Sequence, residues 1–366
     1  MIYALSIDWL SVFGMYMGAD MWQPSECSEY PFMYMTESYG TRVFKRLVRV
    51  RVPNDEGGVD EFAEISAEPY SSILPNYAII VRFVNRTLYL PDFWARANDL
   101  FVANNFQFNS ISRVDICADF NNFASISPIS LIEGFAAKKF RHIGRGVGAL
   151  YFNHGIGVER DEHDRPVKEY GVQYTGVSFG THASDAHVYL YNKSLELMTQ
   201  GDKPWIRDVW KTAGLDERHV WRLEVSIKSG GLKFRDKESG NTVKINDEMI
   251  GTSSELDKIY HTFIKKLFSF VHNKKGITNI TREPRLVLFS DKPSYDRGAI
   301  RNVSSGDRME RILIKNLHQF ADKYRGSAIY EAESTSKHLA NCLAYATDLH
   351  DWYVQKQSEW EKPIHK

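Results

Sequence analysis

Three short stretches of the chain alternate apolar and polar residues so regularly that they fit best as neighbouring strands of one half-buried sheet. They are RVDICADF (Arg113 to Phe120), HVYLYNKSLEL (His187 to Leu197) and VWRLEVSIK (Val220 to Lys228). Side chains alternate across a strand, so Val114, Ile116 and Ala118 point one way and Arg113, Asp115, Cys117 and Asp119 the other. In the third stretch Leu223, Val225 and Ile227 form the apolar side, with Arg222, Glu224 and Ser226 opposite. In the second, Tyr189, Tyr191 and Lys193 share a face. Side by side, these strands place carboxylates, arginines, a lysine and tyrosines on one surface. Such a set suits metal-assisted phosphoryl transfer with a tyrosine nucleophile.

The rest of the chain bounds what this surface belongs to. At 366 residues it holds one large domain or two ordinary ones, and 43% hydrophobic with 25% charged residues is a globular composition. No apolar run approaches the ~20 residues of a membrane helix, and Asp8 interrupts the N-terminus too early for a secretory signal, so a cytoplasmic protein with no membrane partner is expected. Cys27, Cys117 and Cys342 are too few and too scattered for a disulfide framework or a zinc site. His163 and His187 read as surface or core residues, and Gly144, Gly146 and Gly148 are not followed by the G-K-[ST] of a phosphate loop. The net charge is zero, so any nucleic-acid contact must come from local clusters such as Lys45 to Arg51 or Lys138 to Arg145.

Periodicity predicts strands over 3–13, 42–52, 61–67, 77–84, 149–153 and 171–180, and helices over 91–104 and 128–140. An α+β fold follows, with an antiparallel-rich central sheet built from two related α/β halves. Beyond residue 230 the pattern turns helical, at 254–273, 307–324 and 336–354. The expected division is therefore 1–230 for the catalytic-type domain and 231–366 for a mainly helical region that binds DNA or dimerises.

The ordered motifs carry a resemblance. Asp8-Trp9 ends an N-terminal strand; Arg113, Asp115 and Asp119 form R-x-D-x-x-x-D; Gly180, Ser184 and Asp185 form G-x-x-x-S-D; Tyr191, Lys193 and Glu196 form Y-x-K-x-x-E; Arg222 and Glu224 form R-x-E. In order and spacing over the first 230 residues the chain resembles the replication initiation factor family, the Rep_trans type of rolling-circle replication initiators and related relaxases. It departs from the family at Thr181, His182 and Ala183, where basic residues are usual.

The resemblance implies a plasmid or phage initiator that nicks and joins DNA at an origin through a 5′-phosphotyrosine. Tyr191 is the expected nucleophile, with Tyr189 its rival on the same face, and Lys193 and Arg222 assist it. Asp115, Asp119 and Glu224 are the expected ligands of Mg²⁺ or Mn²⁺, hard cations that favour carboxylate oxygen. Arg113, Ser184, Lys138, Lys139, Arg141 and Arg145 are the expected DNA contacts. Partners would be single- and double-stranded origin DNA, a host helicase and polymerase, with a homodimer as a further option. The alternatives are a conjugative relaxase acting at a transfer origin and a non-catalytic origin-binding protein.

Overall fold

The computed structural model describes residues 1–298 except 26–28, 55–56, 71–73, 145–147, 154–157, 161–165, 170–172, 182, 275–282, 291 and everything after 298. The expected helices at 307–324 and 336–354, together with Cys27, Cys342, Arg145, Gly146 and His163, lie outside the described residues. Met1–Gly298 is one compact unit. The boundary drawn at residue 230 from composition falls inside it.

Strands β1 (Ala4–Tyr16), β2 (Met33–Thr36), β3 (Phe44–Pro53), β4 (Val59–Pro69) and β5 (Ala78–Phe83) precede helix α1 (Phe93–Ala103) and the long β6 (Phe106–Phe120). Helix α2 (Pro128–Ala136) leads through β7 (Phe140–His142), β8 (Gly148–Asn153), β9 (Val158–Arg160) and β10 (Pro166–Glu169) to β11 (Gln173–Phe179) and β12 (Ala186–Asn192). Helices α3 (Lys193–Gln200) and α4 (Pro204–Ala213) separate β12 from β13 (Trp221–Lys228). After β14 (Lys233–Asp236) and β15 (Thr242–Lys244) come α5 (Asp247–Gly251), α6 (Ser253–Leu267), β16 (Phe270–His272) and β17 (Arg297–Gly298).

Ten strands make one antiparallel sheet in the order β2-β3-β4-β5-β1-β6-β13-β12-β11-β8. Two meanders thus flank the central pair of β1 and β6, and the α+β class with an antiparallel-rich sheet stands. Leu223 and Leu190 lie level with Ala118 across β13, β12 and β6, and all three are fully buried. This apolar face is covered by α6, whose Leu256, Ile259, Tyr260, Phe263 and Ile264 recur at helical spacing and join the same core. Each such side chain contributes about 1.5–3 kcal/mol by leaving water. The Tyr260 hydroxyl donates to the Leu223 carbonyl at 2.9 Å, which pins the helix to the sheet.

Two helices end earlier than periodicity predicts. α2 stops at Ala136 because Lys138 takes a left-handed φ of 57°, releasing Phe140 into a strand. α6 stops at Leu267, after which Phe270 and Val271 pair with His142 and Arg141. Aromatic and β-branched residues favour that ribbon over a further helical turn. α4 escapes the sequence reading altogether, although Pro204 at its start and Gly214 at φ 71° after its end are ordinary helix boundaries.

Candidate active site

The face opposite α6 carries the polar residues, and a β-bulge extends it across the centre of the sheet. Ile7 pairs with Ile116 and Trp9 with Asp115, leaving Asp8 as the extra residue. The bulge lets both Asp8 and Trp9 join the face that holds Asp115, Asp119 and Arg222. Sequence motifs had marked Asp8-Trp9 only as a strand end, and the bulge is what brings this carboxylate into the site.

Asp8 is held from several sides. Asn85 Nδ2 donates to its carbonyl at 2.9 Å and to Oδ1 at 3.1 Å, the Tyr89 hydroxyl donates to Oδ1 at 3.2 Å, and Arg222 Nη1 is paired with it. Trp205 of α4 fixes Asn85 by donating to its Oδ1 at 3.0 Å. Burial by itself raises the Asp8 pKa; the Arg222 guanidinium, Lys193 and the Asn85 hydrogen bond outweigh it and hold the group down to about 2.

Arg222 and Asp119 face each other across β13 and β6. Arg222 Nε donates to Asp119 Oδ1 at 2.6 Å and Nη2 to Oδ2 at 2.7 Å, while Trp210 of α4 donates to the same Oδ2 at 2.7 Å. Arg222 is 0% exposed and Asp119 2%. This corrects two expectations. Arg222 has its fork spent on Asp119 and Asp8 and does not present it to a phosphate. Asp119 has both oxygens engaged and does not face an open cation site. The α3–α4 excursion causes this burial, packing Leu197, Ile206, Trp210, Leu215 and Val220 as a second apolar cluster on the polar side of the sheet.

Tyr191 lies level with Arg222 on the neighbouring strand. Its hydroxyl donates to Glu224 Oε2 at 3.2 Å and receives a hydrogen bond from Lys193 Nζ at 3.4 Å. Lys193 does not extend the strand as expected; it is the first residue of α3, capped by Asn192, whose side chain accepts from the Leu195 N–H at 2.9 Å. The K-x-x-E spacing is therefore helical, and Lys193 Nζ meets Glu196 Oε2 at 2.5 Å. Burial, reinforced by the Glu224 charge, pushes the Tyr191 pKa well above 10. Burial and the nearby Arg222 charge lower that of Lys193. Burial, then the negative charges of Asp8 and Asp115, push Glu224 up to about 8 against the pull of Arg222 and Lys193.

Asp115 is gripped by Arg113, Nε to Oδ1 at 2.9 Å and Nη2 to Oδ2 at 2.5 Å. Asp115, Asp119 and Glu224 share one face, but Asp115 and Asp119 are tied to different arginines. No three His, Cys, Asp or Glu side chains come together as a metal-holding group among the described residues. The expected three-carboxylate cation site does not fit this arrangement.

The expected DNA contacts divide. Arg113 stays on the polar face, its guanidinium 4.8 Å from the centre of the Trp9 ring, with Arg82 at 4.9 Å from the same ring. Ser184 sits in the turn before β12, bonded to Thr181, at the far end of the strand from Tyr191. Lys138, Lys139 and Arg141 follow α2, which packs through Phe135 on Phe179 of the apolar face, so they do not join Tyr191. In the Lys45 to Arg51 cluster two arginines are paired with carboxylates: Arg46 meets Glu68 at 2.7 Å, and Arg49 meets Glu37 at 2.5 Å and Glu61 at 2.9 Å.

What fold and face define is a mixed α+β protein with a buried arginine–carboxylate network beside a tyrosine held between a lysine and a glutamate. No family model matches the chain, and no curated protein matches it. Among solved structures it is similar to the rolling circle replication initiator protein from Geobacillus stearothermophilus, with 13% identity over 78% of this chain and 92% of that chain and a TM-score of 0.41. No helix among the described residues is long and apolar enough to cross a membrane.

Proposed function

We propose that the protein nicks and rejoins a DNA strand through a covalent link to Tyr191, in the setting of rolling-circle replication of a plasmid or phage. The observation that carries this reading is the relay in which Lys193 donates to the Tyr191 hydroxyl and that hydroxyl donates to Glu224. In the proposed step the Tyr191 oxygen bonds to phosphorus as the phosphorus–O3′ bond breaks. The phenolic proton passes to Glu224, the departing 3′ oxygen takes a proton from solvent water to become the free hydroxyl, and Glu224 returns its proton to solvent. The phosphotyrosine conserves the ester bond, so rejoining needs no nucleotide cofactor. Lys193 steadies the negative charge that grows on the phenolic oxygen as its proton leaves. Mg²⁺ or Mn²⁺ would arrive with the substrate phosphate and would offset its charge.

Incubation with single-stranded DNA and Mn²⁺, followed by mass spectrometry, is expected to place a DNA adduct on Tyr191. An adduct on Tyr189 instead would move the nucleophile, and no adduct on DNA that binds would favour a non-catalytic origin binder. The relay also predicts a pH profile. A base must be ionised to accept the proton, and Glu224 titrates near 8. Single-turnover cleavage is therefore expected to rise about tenfold per pH unit below 8 and to level off above it. Glu224→Gln should cut the rate and flatten that rise; a variant that keeps the wild-type slope would remove Glu224 from the role.

A further inference from the structure

Three tyrosines form a row that runs from the edge of the sheet to the relay. Tyr151 on the edge strand β8 is 41% exposed, and its ring centre lies 5.0 Å from that of Tyr189. Tyr189 in turn stacks on Tyr191, with centres 4.6 Å apart and planes 24° from parallel. Between the outer tyrosine and the inner pair lies β11, where Gly176 pairs with Tyr191 on one side and Tyr151 on the other.

A side chain at Gly176 would disrupt the row. Its Cβ would lie 3.0 Å from the Tyr189 ring, 3.2 Å from the Tyr191 Cβ and 2.6 Å from the Leu190 carbonyl oxygen. The glycine lets the Tyr189 ring lie over the strand. The next residue on that face, Ser178, is also small, and its hydroxyl sits 3.1 Å from that of Tyr151. The inner pair has packing partners of its own, whereas Tyr151 keeps a partly exposed aromatic ring on the last strand of the sheet. Burial, then the neighbouring Tyr151 and Glu196, push the Tyr189 pKa up to about 12, so Tyr189 stays uncharged at neutral pH.

We propose that the exposed ring of Tyr151, backed by Tyr189, forms a stacking subsite for unpaired bases, which guides single-stranded nucleic acid across the β8 edge to Tyr191. The proposal rests on the reading of Tyr191 as the reacting group and names the form of substrate the site accepts. The chemistry fits because every base has a flat π face, and aromatic side chains hold successive bases with little regard to sequence. Stacked bases inside a duplex do not offer those faces, so the row selects unpaired strand. The arginines of β3 are already engaged with carboxylates.

The test uses the full chain and a fluorescent oligothymidylate, with affinity read by anisotropy. Tyr151→Ala is expected to weaken binding about tenfold, and Tyr151→Phe, which keeps the ring and loses the Ser178 contact, should bind within about twofold of wild type. Adding Tyr189→Leu to Tyr151→Ala should weaken it further, with unchanged circular dichroism reporting an intact sheet. Affinity for a blunt duplex of the same length should not move. Equal binding by wild type and Tyr151→Ala would overturn the subsite, as would equal losses on single strand and duplex. A covalent adduct is scored separately: loss of affinity in Tyr151→Ala with no adduct on Tyr191 in wild type would keep the subsite and reject the nicking reaction.

Discussion

Tyr191→Phe is expected to abolish strand cleavage, by at least about a thousandfold, while the protein still folds and binds single-stranded DNA. The substitution removes one oxygen and leaves the ring that stacks on Tyr189. Folding should change little, because among the described residues the lost hydroxyl bonds only to Glu224, at 3.2 Å, and to Lys193, at 3.4 Å. A net loss of about 1 kcal/mol or less is appropriate to one such group. Tyr189→Phe supplies the control, since that hydroxyl is not in the relay. Were Tyr191→Phe to cleave at the wild-type rate, the nucleophile would lie elsewhere. If both single variants cleaved normally, the tyrosine chemistry itself would be wrong.

The largest stability effect is expected at Arg222. This guanidinium is fully buried, holds Asp119 through two hydrogen bonds and also pairs with Asp8. Arg222→Met fills a similar volume but strands two carboxylates without their counter-ion. Loss of one partner from a buried pair costs about 3–5 kcal/mol. Urea unfolding of the purified variant should show a loss in that range. Arg222→Lys should recover only part of it, because an ammonium cannot reproduce the two-pronged bond. Asp119→Asn placed in the Arg222→Met background should restore stability by removing one unpaired charge. A loss below about 1 kcal/mol in Arg222→Met would mean the network is not what holds α4 against the sheet.

Much of the sheet was open to reading from the chain alone. Apolar and polar residues alternate with period two through RVDICADF and VWRLEVSIK, and the register places Arg222 level with Asp119 and Ser226 level with Asp115. The same alternation put Tyr189 and Tyr191 on one face, where their rings stack. Periodicity failed where two local preferences compete. Lys193 continues the parity of β12 yet begins α3, because Asn192 caps a helix there as readily as it would continue a strand.

The sequence by itself determined which residues lie on the polar face of the central strands, because strand geometry forces alternate side chains to opposite sides. It also marked Tyr191 as worth attention, through spacing to Lys193 and Glu196 that a helix start satisfies. Only the tertiary structure decided what those side chains do to one another. The bulge at Asp8 and the descent of α4 onto Asp119 are long-range events, linking Asp8 to Arg222 and Trp210 to Asp119 across many intervening residues. They turn two expected ligands of phosphate and metal into a buried ion pair and leave Tyr191, Lys193 and Glu224 as the connected relay. Burial and pairing depend on which elements cover a face, and no period within one strand encodes that.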